Sequence, residues 1–354
     1  MFSKSTILKI IIKKQFFMNK YPCHCHFIPD VVFKEMEKDG YDVEKPAQEV
    51  ADKTLRTRRQ GLMAFARAMP QVGNNELLVY DSQNTRNTQF KLVRKDGDAP
   101  ILDDDVNAVF DNGAIVKEYF LNILGWNSID DNALDLVSNV HYMVKYNNAF
   151  WDGEQMIFGD GDGTNFKNFA RALDVTAHEL THGVVQYTAN LEYRGQSGAL
   201  NEHFADVFGS AIKQYYLKQN EKTANWLIGE LCLSGRFLGK AIRSMKTPND
   251  EKVVLMPQPD HYTKMAKGPV DNYGVHINSG IPNYAFYLTA IGIGTQNAAV
   301  LWFEALKILK PTSKFKDLYK ALTKVAKHLI VVGKVPTSTQ VNVDTAFKKV
   351  GIIK

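Results

Sequence analysis

Residues 178–182 read His-Glu-Leu-Thr-His. On an α-helix, His178 and His182 are four positions apart, so both imidazoles project from one face and can share one ion. Glu179, one position on from the first imidazole, stands beside that ion rather than on it. The spacing suits zinc with a base alongside, but a solvated polar helix face has the same five residues, so the motif does not decide alone. Twenty residues after His182 comes NEHFAD, where Glu202 can supply a third ligand from a second helix. Taken without the upstream motif, Glu202 reads as a carboxylate favoured by a helix start. Asp206, one turn later, can orient an imidazole from behind. Two imidazoles and one carboxylate leave one coordination position open to water, which is the catalytic rather than the structural pattern of zinc.

The elements that must carry these groups are legible in outline. "FARALDVTAHELTHGVVQYTA" and "ALNEHFADVFGSAIKQYYLKQ" are predicted helices, and the chain continues mostly helical to its C-terminus. Upstream, "ELLVYDSQNTRNTQFKLVRKDG" reads as a hairpin or meander and "DVNAVFDNGAIVKEYFLNILGW" as a helix. "LDLVSNVHYMVKYNNAFWDGEQMIFGDGDGT" is strand-like and ends in a Gly/Asp-rich turn. A mixed N-terminal lobe therefore precedes an all-helical one. The composition changes near residue 75, after Met69-Pro70 and the turn-prone "QVGNN", which makes residues 1–74 an appendage. No repeat or low-complexity tract is present.

At 354 residues, 45% hydrophobic and 23% charged, the chain has the composition of a globular protein with a sizeable core. The formal charge of +5 is modest, and the lysines between Lys307 and Lys354 alternate with apolar residues at helical intervals. That is a solvated helix face, not a nucleic-acid stripe. Three cysteines make no complete disulfide framework, and a bridge between Cys23 and Cys25 would staple nothing. Cys232 reads as a small buried apolar residue.

The opening "MFSKSTILKIIIKKQFFMNK" has its apolar runs broken by Lys9, Lys13 and Lys14, so it lacks the core of a signal peptide and is too short to span a bilayer. Met18 is an alternative start to Met1. Export without an ordinary signal and action inside the producing cell both stay open.

Taken together, "DVTAHELTH", "SGALNEHFADVFG", "YNNAFWDGEQMIFGDGDG", "RSM" and "GVHINSG" resemble the thermolysin-type zinc metallopeptidases, in family order and over residues 75–354. The resemblance implies an α+β, two-lobed catalytic unit with its zinc site in the cleft. A β-rich lobe over 75–190 ends in the HELTH helix, and a helical lobe follows over 191–354. It implies zinc on His178, His182 and Glu202, Glu179 as general base, and Asp206 in support. Tyr193 and His276 match the positions that stabilise the oxyanion of a tetrahedral intermediate, and Asp271 the carboxylate that holds the His276 ring. Asn148 and the Ala149 carbonyl match the strand that pairs with the substrate backbone, and Arg243 the residue that fixes a substrate carbonyl. The implied activity is endopeptidase cleavage of protein or peptide substrates before bulky apolar residues. Related zinc aminopeptidases share the HExxH motif and downstream Glu, but "GVHINSG" and "NNAFWDG" favour the endopeptidase branch.

Two departures carry expectations of their own. Thermolysin-type enzymes often have a carboxylate-rich double calcium site. Asp174 and Glu230 match it, but Lys213, Asn225, Leu227 and Leu231 stand where carboxylates are expected. A hard cation needs about six oxygen ligands and is repelled by an ammonium. The double site is therefore expected to be absent, with Lys213 as a built-in counter-ion to Asp174 or Glu230. The second departure is the short N-terminal region, which resembles the short-prosegment branch typified by protealysin, where the segment inhibits its own enzyme until removed. Here "FIPDVV" has one proline where that branch has two. The "CHCH" at 23–26 adds two readings: a thiolate or imidazole over the zinc, or a polar patch in a tail. The maturation cut is expected within residues 64–76. A non-catalytic zinc-binding protein would require a lost base or electrophile, and a metal-free structural protein would purify without zinc.

Overall fold

The computed structural model describes residues 25–40 and 73–354. The N-terminal tail, Cys23, His24 and the Arg-rich stretch before residue 72 lie outside the described residues.

The first hairpin pairs β2 (Leu77–Asp81) antiparallel with β3 (Lys91–Lys95). Helix α2 (Asp104–Leu124) follows. Val106, Val109, Gly113, Val116 and Phe120 recur at steps of three and four, which turns one continuous face onto the sheet. Its Asp103 N-cap accepts from the Asp105 and Val106 amides, and Gly125 closes the other end at φ 66°. The chain then forms β4 (Leu136–Val140), β5 (Ala149–Trp151) and β6 (Met156–Phe158), which are largely buried.

The sheet has the order β1-β5-β6-β4-β2-β3, and its outermost member beside β5 is β1 (Cys25–His26), from the N-terminal segment. Strand β1 runs antiparallel to β5, with Cys25 opposite Trp151 and His26 opposite Phe150. Helix α1 (Asp30–Lys38) follows, and Val32, Phe33 and Met36 at its three- and four-residue spacing join the main core. The described part of the expected appendage is thus packed into the main fold.

Helices α3 (Leu173–Tyr187) and α4 (Gly195–Tyr216) form the centre of the molecule. Every residue of α3 from Leu173 to Val185 is buried, so its polar residues must find partners inside the protein. The two helices approach closely at Gly209, where a Cβ would lie 2.9 Å from the Asp174 carbonyl oxygen. Around them pack α5 (Val270–Asn278), α6 (Gly280–Ile293), α7 (Thr295–Leu306), α8 (Phe315–Val331) and α9 (Thr339–Lys349). The middle of the lysine-rich stretch is α8, with Phe315, Leu318, Leu322 and Leu329 on the core side.

The second lobe is helical except between α4 and α5. There β7 (Leu227–Ile228) pairs antiparallel with β8 (Arg243–Ser244) amid short 3-10 turns. No helix among the described residues is long and apolar enough to cross a membrane.

Candidate metal centre and cleft

Helix α3 turns His178, Glu179 and His182 to one side, and α4 brings Glu202 against them; none of the four is more than 1% exposed. His178 Nε2 and His182 Nε2 are 3.1 Å apart. Glu202 Oε2 lies 3.4 Å from His178 Nε2, and its Oε1 lies 3.6 Å from His182 Nε2. A tetrahedral ion with bonds of about 2.0–2.1 Å spaces its ligand atoms by ~3.3 Å, so the three side chains fit one zinc.

The hydrogen bonds behind the rings point the same way. His178 Nδ1 donates to Asp206 Oδ1 at 2.9 Å and His182 Nδ1 to Asn201 Oδ1 at 2.8 Å. Both Nε2 lone pairs then face each other, an arrangement that calls for a cation between them. Burial lowers the His178 pKa, but Asp206 and Glu202 outweigh it and raise it to about 9, while burial beside the His178 charge takes His182 down to about 4. Glu202 Oε2 and Glu179 Oε1 are buried with no hydrogen-bond partner among the described residues.

Glu179 is fixed from the strand side, its Oε2 accepting the Trp151 amide at 2.8 Å. Burial pushes its pKa up to about 8, with the His178 charge opposing. A carboxyl group so placed can exchange a proton near neutral pH. Opposite it, the Tyr193 hydroxyl donates to Glu202 Oε1 and lies 3.0 Å from His276 Nε2. Burial and the Glu202 charge raise the phenol well above its ordinary value, so it stays a donor. His276 Nδ1 is held by Asp271 Oδ1 at 2.6 Å, and Asp271 Oδ2 accepts the His276 and Ile277 amides. Asp271, Asn272, Tyr273 and Gly274 are all left-handed, with φ from 49° to 79°.

The cleft beside this centre contains residues 25–28. The Phe27 amide donates to the Ala149 carbonyl at 3.0 Å, and Asn148 bonds both the Ile28 amide and the Ile28 carbonyl. Arg243 Nη1 donates to the Phe27 carbonyl at 2.9 Å, while Nε and Nη2 hold Asp206. His276 Nε2 is 3.1 Å from the His26 carbonyl oxygen. The Phe27 ring packs edge-on against His178, lies under the Arg243 guanidinium and is fully buried. Its pocket needs Gly229, at φ 72°, because a Cβ there would come within 2.7 Å of the ring. The Cys25 sulfur, which is disulfide-bonded, lies within 4.8 Å of the ligand atoms of His182 and Glu202.

The expected zinc ligands and the expected catalytic and substrate-binding residues thus converge here, and Asp206 serves both His178 and Arg243. Sequence reasoning missed Asn201, the residue before Glu202, and the Trp151 amide. It also missed Asn283, whose Nδ2 completes the shell of Asp206 at 2.8 Å. At the expected calcium position, Lys213 Nζ lies 2.7 Å from Asp174 Oδ2 and 2.6 Å from the Leu227 carbonyl oxygen. Glu230 instead accepts from Asn225 Nδ2. Cys232 is free and buried.

A two-lobed α+β fold with two imidazoles, a carboxylate and a further buried acid converging at a cleft defines a metal-dependent hydrolase. Residues 54–186 match the thermolysin metallopeptidase catalytic domain and residues 189–352 its alpha-helical domain. An "Extracellular metalloprotease" of Pectobacterium carotovorum subsp. carotovorum is 39% identical over 295 residues, covering 80% of this chain and 84% of that one. "Protease PrtS" of Photorhabdus sp. (strain Az29) is 41% identical over 262 residues, 71% of each. A "Thermolysin" of Alicyclobacillus acidocaldarius is 40% identical over 250 residues, 67% of this chain but 43% of its own length. The solved precursor of protealysin, a metalloproteinase from Serratia proteamaculans, superposes with a TM-score of 0.74 at 37% identity, covering 81% of this chain and 90% of that one. The chain belongs to the thermolysin metallopeptidase family and is a metalloendopeptidase.

Proposed function

We propose that this chain is the latent precursor of a zinc endopeptidase that cuts before bulky apolar residues and is restrained by its own N-terminal segment. The observation that carries the reading is the course of residues 25–28. They lie antiparallel to β5, with their backbone groups on Ala149, Asn148, Arg243 and His276 and an apolar ring beside the metal ligands. An extended substrate adding itself to the sheet edge would take the same places.

In the domain division we propose, residues 1–74 are tail and prosegment, 75–190 the β-rich lobe and 191–354 the helical lobe. His178, His182 and Glu202 would hold zinc, with Asp206 and Asn201 fixing the two rings. Zinc held there supplies Lewis acidity, which brings the pKa of a water from 15.7 to around 7. Glu179 accepts the proton of the attacking water and returns it to the leaving amine. Tyr193 and His276 donate to the oxygen on which charge develops, and Asp271 keeps the His276 ring aimed. Ala149, Asn148 and Arg243 hold the substrate backbone in register. The Phe27 pocket, closed by Gly229 and lined by Arg243 and His178, supports a preference for a large apolar residue after the cut bond.

The test is the intact mass of purified wild type and Glu179→Ala after incubation with zinc at neutral pH. Loss of roughly the first 70 residues from the wild type alone is expected. If both chains stay whole and neither hydrolyses a peptide after limited trypsin treatment, the reading is wrong.

A further inference from the structure

One wall of the Phe27 pocket is a loop that is held from behind. Gly229, left-handed at φ 72°, lies so near the ring that a Cβ would come within 2.7 Å of Phe27 and 2.8 Å of Ile242. The two residues before it form β7, which sets Ile228 opposite Arg243 of β8. Within the loop the Asn225 side chain bonds the Leu227 amide and the Glu230 carboxylate, closing the turn on itself. Where Gly229 stands therefore decides how much of an apolar side chain the pocket accepts.

The tie between this loop and the two central helices runs through Lys213. In the last turn of α4, its Nζ donates to the Leu227 carbonyl at 2.6 Å and to Asp174 Oδ2 at 2.7 Å. The same carboxylate oxygen accepts the Gly229 amide at 3.1 Å. Asp174 is buried in the first turn of α3, the helix that carries His178 and His182, and its Oδ1 has no hydrogen-bond partner among the described residues. An ammonium with three donors thus fixes Leu227 directly and Gly229 through the carboxylate. Without it, a buried carboxylate must take up water or a proton, and the segment 227–229 loses its fixed anchor.

We propose that Lys213 is a positioning residue for substrate specificity: it holds the segment 227–229 against α3 and so sets the preference for a large apolar residue after the cut bond. The inference rests on the pocket assigned above. Lys213 meets Asp174 and Leu227 rather than the metal ligands or the Phe27 ring, so it acts on the discrimination between substrates and not on the chemical step. A phenyl ring reaches the Gly229 wall, whereas a methyl group in the same place falls short of it.

The experiment compares wild type, Lys213→Met and the double variant Lys213→Met/Asp174→Asn, each made as the full-length chain and processed by zinc incubation or limited trypsin treatment. Two peptides that differ only in Phe or Ala after the cut bond are hydrolysed, with kcat and KM read separately. The wild type is expected to favour the Phe peptide by about tenfold or more in kcat/KM. In Lys213→Met that ratio should fall about fivefold through a raised KM for the Phe peptide, with the Ala peptide nearly unchanged. The double variant no longer strands a charge, so its thermal midpoint should recover; Leu227 still lacks its donor, so the ratio should stay about threefold below wild type. Hydrogen exchange read by mass spectrometry on the full-length precursors should be about tenfold faster over 227–229 in Lys213→Met than in wild type. Should Lys213→Met fail to fold, the double variant decides alone.

A Phe-to-Ala ratio unchanged in the variants would overturn the role of Lys213 and leave the apolar preference standing. A loss shared equally by the two peptides would do the same, because it marks less folded enzyme rather than an altered pocket. A wild type that does not favour Phe overturns the pocket assignment, and one that cuts neither peptide overturns the endopeptidase reading; either result takes this inference with it.

Discussion

Arg243 and Asp206 are joined by three hydrogen bonds of 2.8–3.2 Å in the interior, and each spends its remaining capacity on the site. The carboxylate turns His178 and the guanidinium reaches the carbonyl of Phe27. The proposed metal ligand His178 and the proposed backbone clamp are therefore held by the two ends of one ion pair. Both partners are buried, so removing one leaves an uncompensated charge, at a cost of about 3–5 kcal/mol. Asp206→Asn keeps the shape and weakens the hold on His178. We expect zinc affinity, measured by chelator competition, to fall by about 10–100-fold. Arg243→Lys should retain zinc but raise KM, because a point charge cannot replace the fork.

Phe27 is the anchor of the N-terminal segment. Truncation of a fully buried Phe removes about 3 kcal/mol of packing, or roughly a hundredfold in occupancy of the cleft. Phe27→Ala precursor should therefore hydrolyse a reporter peptide before any processing, whereas the unprocessed wild type should not. Equal latency of the two would place the restraint elsewhere in the segment.

The ammonium of Lys213 pairs with Asp174 at the position that corresponds to the calcium pair of thermolysin-type enzymes. Calcium from micromolar to millimolar, or its chelation, should leave the thermal midpoint of the wild type unchanged. Lys213→Met strands the buried Asp174 carboxylate and should cost roughly 3 kcal/mol. Two tightly bound calcium ions per wild-type chain, found by metal analysis, would contradict the substitution of charge for metal.

His141 lies between Asp160, 2.9 Å from its Nδ1, and Asp103, 3.0 Å from its Nε2, and so ties the start of α2 to the sheet. The Asp160 hydrogen bond leads in raising its pKa to about 9. The folded pKa lies above the unfolded value near 6.5, so the stabilisation is fully present below pH 6.5 and is lost as pH rises through about 9. It amounts to about 1–3 kcal/mol after allowance for partial exposure. Denaturant unfolding of His141→Gln and wild type at pH 6 and pH 9.5 should give curves that converge at the higher pH.

The parts that could be seen in the sequence are those in which geometry is fixed by helical spacing. HELTH and NEHFAD place their groups by a 3.6-residue turn, whatever surrounds them. Asp271–Gly274 is the opposite case. Asp, Asn and Gly each tolerate the left-handed region singly, but nothing announces four such residues in a row, and a tyrosine at φ 67° costs about 1–2 kcal/mol. Long-range contacts hold the turn, among them the Arg194 guanidinium 4.1 Å above the Tyr273 ring. Strands β7 and β8 are two residues each, too short to carry a period. The seat of residues 25–28 was hidden for a further reason: apart from the Phe27 ring, the segment meets Ala149, Asn148, Arg243 and His276 through its own backbone groups, which every sequence possesses.

Strand β1 belongs to the same chain as the cleft it fills. A ligand tethered in this way acts at an effective concentration of order millimolar, independent of how dilute the protein is. In the proposed precursor, modest intrinsic affinity would therefore be enough to keep every molecule silent, and dilution would not wake it. One cut anywhere between residue 40 and residue 73 turns the same contact into an ordinary bimolecular equilibrium. Below its dissociation constant the segment would then leave, so dilution alone would complete what the cut begins.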